Sequence, residues 1–259
     1  MSIKSPLFFL LACLSFTGFA NSTLEIKQPN KPHKQPLPAF TAKYTVLHKS
    51  EPVGTAVRQL SYQADGSINY HYQTKVKWLI FSQTRSETSI LTINNNQVTP
   101  QHYTNTREGT GKDKRYEWVY NAAESQANDI ERKREHTVDF SNNLQDKLSY
   151  HLQHRLNLIA DATHKNYVYS VINTTGSISD YDYQYDGEEE LILPYGLVKT
   201  IRFKREVKEK ERTTYAWFAP ELNYLLVKLY QIKAGNEQFE AQLSSLAIEE
   251  NATIQQHNK

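Results

Sequence analysis

Apolar and polar residues alternate along most of the chain between residues 39 and 248. Phe40, Ala42, Tyr44 and Val46 occupy every second place. Ile68, Tyr70, Tyr72, Thr74 and Val76 do the same, with Asn69, His71, Gln73 and Lys75 between them. Tyr116, Trp118 and Tyr120 follow, then Tyr181, Tyr183 and Tyr185, then Ile201 and Phe203, then Tyr215 and Trp217. A period of two places one set of side chains on one face of a strand, so each stretch reads as a half-buried β-strand. Turn signals separate them: Ser50-Glu51-Pro52, Asp65-Gly66, Asn94-Asn95-Asn96, Asp186-Gly187, Pro220-Glu221 and Gly235-Asn236. Hairpin-like spacing predicts a mainly β fold: roughly ten antiparallel strands in a curved sheet or an open β-barrel.

One segment departs from that period. Leu144, Leu148, Leu152, Leu156 and Ile159 recur at steps of three and four, and Asn142 or Asn143 can cap the start. The spacing predicts one amphipathic helix of about 17 residues, over 143–160, with its leucine stripe on the sheet and Gln153 on its outer side.

The ends carry other patterns. Lys4, the apolar run from Leu7 to Phe16, and Gly18 and Ala20 give residues 1–20 the form of a signal peptide cut after Ala20. That run is shorter than the about 20 residues a membrane span requires, and no later segment is apolar enough for a transmembrane helix. Leu10-Leu11-Ala12-Cys13 superficially resembles a lipoprotein box, but the apolar run continues through Leu14 and Phe16, so Cys13 reads as an apolar filler. Residues 21–38, with Pro29, Pro32, Pro36 and Pro38, form a polar linker. Residues 39–248 are expected to make a single β-rich domain, and 249–259 a polar tail. The expected location is periplasmic.

Composition sharpens this picture. The sequence has 17 Tyr, 10 Phe and 3 Trp, a bias toward residues that suit pleated, half-buried surfaces. Its 30 basic and 28 acidic residues give a net charge of +2, which excludes the one-sided field of a nucleic-acid binder. Cys13 and Met1, the one cysteine and one methionine, both precede the cut. The processed chain therefore has no thiol for a disulfide, a zinc site or a nucleophile.

The second half carries a recognisable set of residues. Leu144-Gln145-Asp146-Lys147-Leu148-Ser149 precedes Arg155, and Glu190-Leu191-Ile192-Leu193-Pro194-Tyr195-Gly196 leads into Val198, Thr200 and Arg202. Arg212-Thr213-Thr214-Tyr215-Ala216-Trp217-Phe218-Ala219-Pro220 and Leu222-Asn223-Tyr224-Leu225-Leu226-Val227-Lys228 follow. Tyr44, Val46, Pro52-Val53-Gly54, Pro100 and Tyr103 belong to the same set, which over residues 40–246 resembles the bacterial family called domain of unknown function 3108. Leu226 stands where that pattern leads one to expect proline. The resemblance implies a secreted, envelope-associated protein of Gram-negative bacteria and a half-barrel fold, and it implies no activity.

Candidate chemistry is sparse. His151 and His154 share a helical face but lack a third ligand, and read as polar-face or boundary residues. Asp180, Asp182, Asp186 and Glu188 to Glu190 invite a calcium loop, yet the twelfth position from Asp182 is Leu193. Alternation with tyrosines reads instead as a strand and then a turn. Lys204 to Arg212 reads as a solvated hairpin tip. No metal, cofactor or catalytic group is expected. The residues expected to face a ligand are the stripes Tyr116, Trp118 and Tyr120, and Tyr215 and Trp217. The expected function is a binding or carrier module for an amphipathic ligand such as a lipid, acyl chain or lipoprotein. One alternative is an interaction protein supporting envelope assembly, partnered by an envelope protein. The other is a hydrolase of envelope polysaccharide.

Overall fold

The computed structural model describes residues 36–249. The expected signal peptide, residues 21–35 of the linker and residues 250–259 of the tail lie outside the described residues. Within them the chain forms a 14-stranded antiparallel sheet and one helix. The first meander runs β1 (Phe40–His48), β2 (Glu51–Tyr62), β3 (Ile68–Trp78), β4 (Phe81–Asn94), β5 (Gln97–Gly109), β6 (Lys114–Asn121), β7 (Gln126–Asp129) and β8 (Arg134–Thr137). The helix α1 (Ser149–Ala160) follows. The second meander runs β9 (Asn166–Ile172), β10 (Ile178–Leu193), β11 (Gly196–Val207), β12 (Arg212–Ala219), β13 (Leu225–Lys233) and β14 (Asn236–Ile248).

Each strand pairs with its neighbour in sequence, and β1 pairs with β14, so the first and last strands lie side by side within the sheet. The edges are β8 and β9. They approach one another: the Arg132 guanidinium of the β7–β8 turn donates to the Thr174 carbonyl of the β9–β10 turn at 3.1 Å. Gly176 permits that approach, since a Cβ there would lie 2.8 Å from the His136 ring and 3.0 Å from Trp118. Gln145 covers β9 through a parallel bridge to Val171. The sheet therefore curls almost into a barrel.

Because all pairs are antiparallel, the turns alternate between two ends. The end holding the β2–β3, β4–β5 and β12–β13 turns is closed by α1. Arg155 donates to the Asn223 and Leu222 carbonyls, and the Gln153 amide donates to the Asn96 carbonyl. The core lies here, with Leu148, Leu152 and Leu156 packed among Phe40, Leu60 and Leu91. A second cluster gathers Tyr150, Leu158, Tyr183, Phe203 and Phe218. The β1–β2, β3–β4 and β5–β6 turns mark the opposite, open end.

Several expectations change. Fourteen strands replace roughly ten, because hairpins such as β3–β4 and β6–β7 turn without Gly or Pro. Asp186-Gly187 is no turn: it forms a bulge inside β10, where the register with β11 shifts. The helix has 12 residues and starts six positions after Asn143, at Ser149. Asp146, rather than Asn142 or Asn143, caps it, accepting the Leu148 and Ser149 amide hydrogens at 2.7 Å each. The leucine spacing continues upstream because Leu144 is also buried, in the strand-like approach to the helix. Ile159, expected on the buried stripe, is exposed. Gln153 and His154 are buried, so the helix has no simple outer side. Leu37, expected in the linker, is buried in the core, and its carbonyl accepts the Tyr62 hydroxyl at 2.7 Å.

Candidate ligand-binding site

Strand register defines an inward row above the helix. Ala42 pairs with Arg58, Arg58 with Tyr72, Tyr72 with Glu87, Glu87 with Asn105 and Asn105 with Tyr116. Directly paired residues share a face, so these side chains line the barrel's interior across six strands, β1 to β6. On the other half, Arg205 pairs with Thr214, Thr214 with Gln231 and Gln231 with Phe239. Toward the helix end the inward positions are sealed, as at Leu60, Ile68 and Leu91. Toward the open end Tyr72, Thr74, Val76, Arg205, Gln231 and Phe239 remain half-buried, and Arg85 is exposed. Solvent thus reaches the inner face from one end.

The inner face between the open end and the helix is basic and aromatic. Arg58 is 5% exposed, and its Nη1 donates to the Tyr70 hydroxyl at 2.9 Å. Its guanidinium lies 5.2 Å from the Tyr72 ring centre. Its Nε has no hydrogen-bond partner, nor does Nη1 of Arg155, which is also buried. Among the described residues no carboxylate forms an ion pair with Arg58, Arg155 or Arg205. Burial pulls the Arg155 guanidinium down to about 10. Arg205 lies 3.8 Å over the Tyr181 ring. His151, stacked on Tyr150 at 4.0 Å, is held well below the usual histidine range by burial and then by the charges of Arg58, Arg205 and His154. A buried guanidinium without a counter-ion carries an unmet electrostatic demand, which an anion satisfies.

The buried carboxylates are all engaged. Asp129 is bridged by Arg132 and Arg134 at 3.0 and 2.8 Å. Glu87 accepts the Tyr103 hydroxyl at 2.6 Å. Asp146 caps the helix and accepts Ser89 at 2.5 Å, and burial raises its carboxyl to about 6 against those hydrogen bonds. Among the described residues no cluster of His, Cys, Asp or Glu is arranged to hold a metal.

The aromatic stripes expected to face a ligand lie on β6 and β12 and do not meet. Trp118 is fully buried, Tyr120 packs on Phe140, and Tyr116 is half-buried with the Arg132 guanidinium 4.9 Å from its ring. Phe218 contacts the helix at His154, with 4.7 Å between ring centres, so Tyr215 and Trp217 point to the opposite face of β12. There the Trp217 indole donates to Glu189 at 2.6 Å, and Arg202 binds the same carboxylate at 2.8 Å. That engagement, with Asp186 bound to Arg202 at 2.8 Å, also accounts for two of the carboxylates in the calcium-like stretch. The inward arginines went unread in the sequence. Their signal was parity: Arg58 takes an apolar place between Ala56 and Leu60, and Arg205 follows Ile201 and Phe203.

A second feature stands at the open end. The β3–β4 hairpin ends in Trp78, Leu79, Ile80 and Phe81, which are 52%, 81%, 97% and 39% exposed. Leu79 has φ +54°, a left-handed conformation that Asn or Gly adopts at less strain. The β4–β5 turn does use Asn95 and Asn96 there. Neighbouring turns brace the tip. The Thr110 amide donates to the Ser82 carbonyl at 2.7 Å, and His48 lies 5.3 Å from Trp78 between ring centres.

An almost closed antiparallel sheet, plugged by a helix at one end and accessible at the other, defines a barrel-like β protein. A solved structure described as a β-barrel-like protein of domain of unknown function DUF1849, from Brucella abortus, has this fold. It matches with a TM-score of 0.53 at 9% identity, over 83% of this chain and 99% of that one. The chain belongs to the family described as protein of unknown function DUF3108, whose family model matches residues 40–242. The comparison with curated proteins gives no match.

Proposed function

We propose that this protein is a periplasmic binding or carrier module for an anionic amphipathic molecule, such as a fatty acid or a phospholipid, whose headgroup enters the open end of the barrel. One observation carries this reading: the half-buried inner lining of tyrosines and arginines surrounds a buried Arg58 that has no carboxylate partner. A chain of apolar and aromatic positions, including Leu229 and Phe239, offers surface for the acyl portion. The hydrolase alternative lacks a comparable feature, since the buried carboxylates above are each tied to structural partners. The leader-like pattern of residues 1–20 supports the periplasmic part of this reading.

Titration with a fluorescent fatty acid and with its methyl ester tests the reading. Saturable uptake of the acid is expected, with the ester binding at least about tenfold more weakly, as loss of a charge-assisted contact implies. Arg205→Gln should weaken the acid and leave the ester unchanged. Absence of saturable uptake, or equal uptake of acid and ester by all forms, would overturn it.

A further inference from the structure

We propose that the Trp78–Phe81 hairpin tip is a membrane-docking finger that seats the open end of the barrel on an anionic lipid surface. The four exposed apolar residues make up the end of one tight hairpin, Leu79 and Ile80 in its two-residue turn and Trp78 paired with Phe81 at the strand ends. A protein interface calls for a broad complementary surface, whereas the headgroup region of a bilayer accepts a narrow wedge, and Trp is favoured at that depth. The turn gives up local preference to hold Leu79 at a left-handed position. Asn in that place would satisfy the hairpin and lose the apolar projection.

Charge complements the finger. Lys49, Lys75, Lys77, Lys112, Lys114 and Lys133 lie in or beside turns of the open end and are exposed. None of them forms an ion pair among the described residues. Glu51, Glu108, Asp113, Glu131, Glu209, Glu211 and Glu237 stand at the same end, but Arg107, Arg132, Arg134, Lys208, Lys210, Arg212 and Lys233 accompany the six lysines and keep basic residues in excess. The helix end leans the other way, carrying Asp65, Glu124, Asp139, Asp161 and Glu221 against Lys147 and Lys165. A chain of net charge +2 is thus polarised along the barrel axis, basic where the finger stands. Lysines beside an anionic surface each strengthen attachment, and salt screens them.

Co-sedimentation of the purified protein with lipid vesicles tests this directly. Vesicles of phosphatidylcholine with about one third phosphatidylglycerol should bind at least about tenfold more tightly than phosphatidylcholine alone, with loss at high salt. Trp118 and Trp217 are buried, so a blue shift in tryptophan emission on binding reports Trp78. Leu79→Asp with Ile80→Asp should abolish binding with the unfolding midpoint unchanged, because both side chains are exposed and Asp tolerates the left-handed turn. Lys75→Gln with Lys77→Gln should weaken it several-fold. Absence of vesicle binding, equal binding to both lipid mixtures, or full binding by the Leu79/Ile80 variant would each overturn the proposal. Vesicle attachment does not depend on the ligand reading: a protein that took up no fatty acid would still dock if the finger inserts.

Discussion

The clearest quantitative expectation concerns His154. Its ring is 1% exposed and lies among Phe203, Phe218, Tyr167 and Tyr183. Asn157 donates to the Tyr169 hydroxyl at 3.0 Å, so that hydroxyl turns its own hydrogen to His154 Nδ1 at 2.9 Å. The remaining nitrogen, Nε2, has no partner. Burial lowers the folded-state value to about 3, against about 6.5 in the unfolded chain. The unfolded state therefore takes the proton first. Stability is present in full above about pH 6.5 and is lost as pH falls toward the folded value. At pH 5 the loss from this one group amounts to about 2 kcal/mol. His154→Phe removes the titration while keeping an aromatic ring, and forfeits the Tyr169 contact, about 1 kcal/mol. Urea unfolding at pH 7.5 and pH 5 provides the assay. Wild type should lose about 2 kcal/mol more than the variant between the two conditions, so that the variant, weaker at pH 7.5, draws level or leads at pH 5. Equal losses in the two proteins would refute the argument that the imidazole is neutral and sealed.

Two further expectations concern the same helix. Burial raises Asp146 to about 6, so its protonated form favours the fold below about pH 4 and that advantage disappears as pH rises through 6. Asp146→Asn, whose amide oxygen still accepts the two helix amides, should flatten the stability profile between pH 4 and 7 in urea titrations. Gln153→Ala strands the Val98 amide, which now donates to its side chain at 2.7 Å, and should destabilise by about 1–3 kcal/mol. Leu152→Ala is expected to cost about 2–5 kcal/mol by calorimetry, so both faces of the helix should prove sensitive.

Legibility followed local chemistry. Alternation revealed the antiparallel sheet because an inward face must be filled, as Tyr70, Tyr103 and Phe203 show. Hairpins with Asn95-Asn96 or Asp65-Gly66 were visible because those residues suit tight turns. The Leu79-Ile80 turn was hidden, because its residues are poor turn formers and merge two strands into one apolar run. Leucine spacing revealed the helix, but not that its polar residues would also be enclosed, since Gln153 is held by β5 and the β4–β5 turn more than fifty residues away and His154 by several strands of the second meander. The aromatic stripes are equally apolar on either face of the sheet, so alternation alone does not separate the inward Trp118 from the outward Trp217. Arg58 was legible only in its parity, and a charged residue at an inward place is easily taken for a break in the pattern.

The pairing of β1 with β14 has a consequence for how the chain folds. Every other pairing in the sheet joins neighbours in sequence and can form by local zippering, whereas this one links residues as far apart as Phe40 and Ile248, 208 positions. Closing so long a loop is entropically expensive, so the two meanders should assemble first and this seam last. Until Asn236–Ile248 is in place, β1 and β13 each present an unpaired edge of nine residues. Such edges are templates for intermolecular pairing. The interval before the final strand arrives is therefore the period of greatest aggregation hazard, and a chaperone that shields β1 would act there.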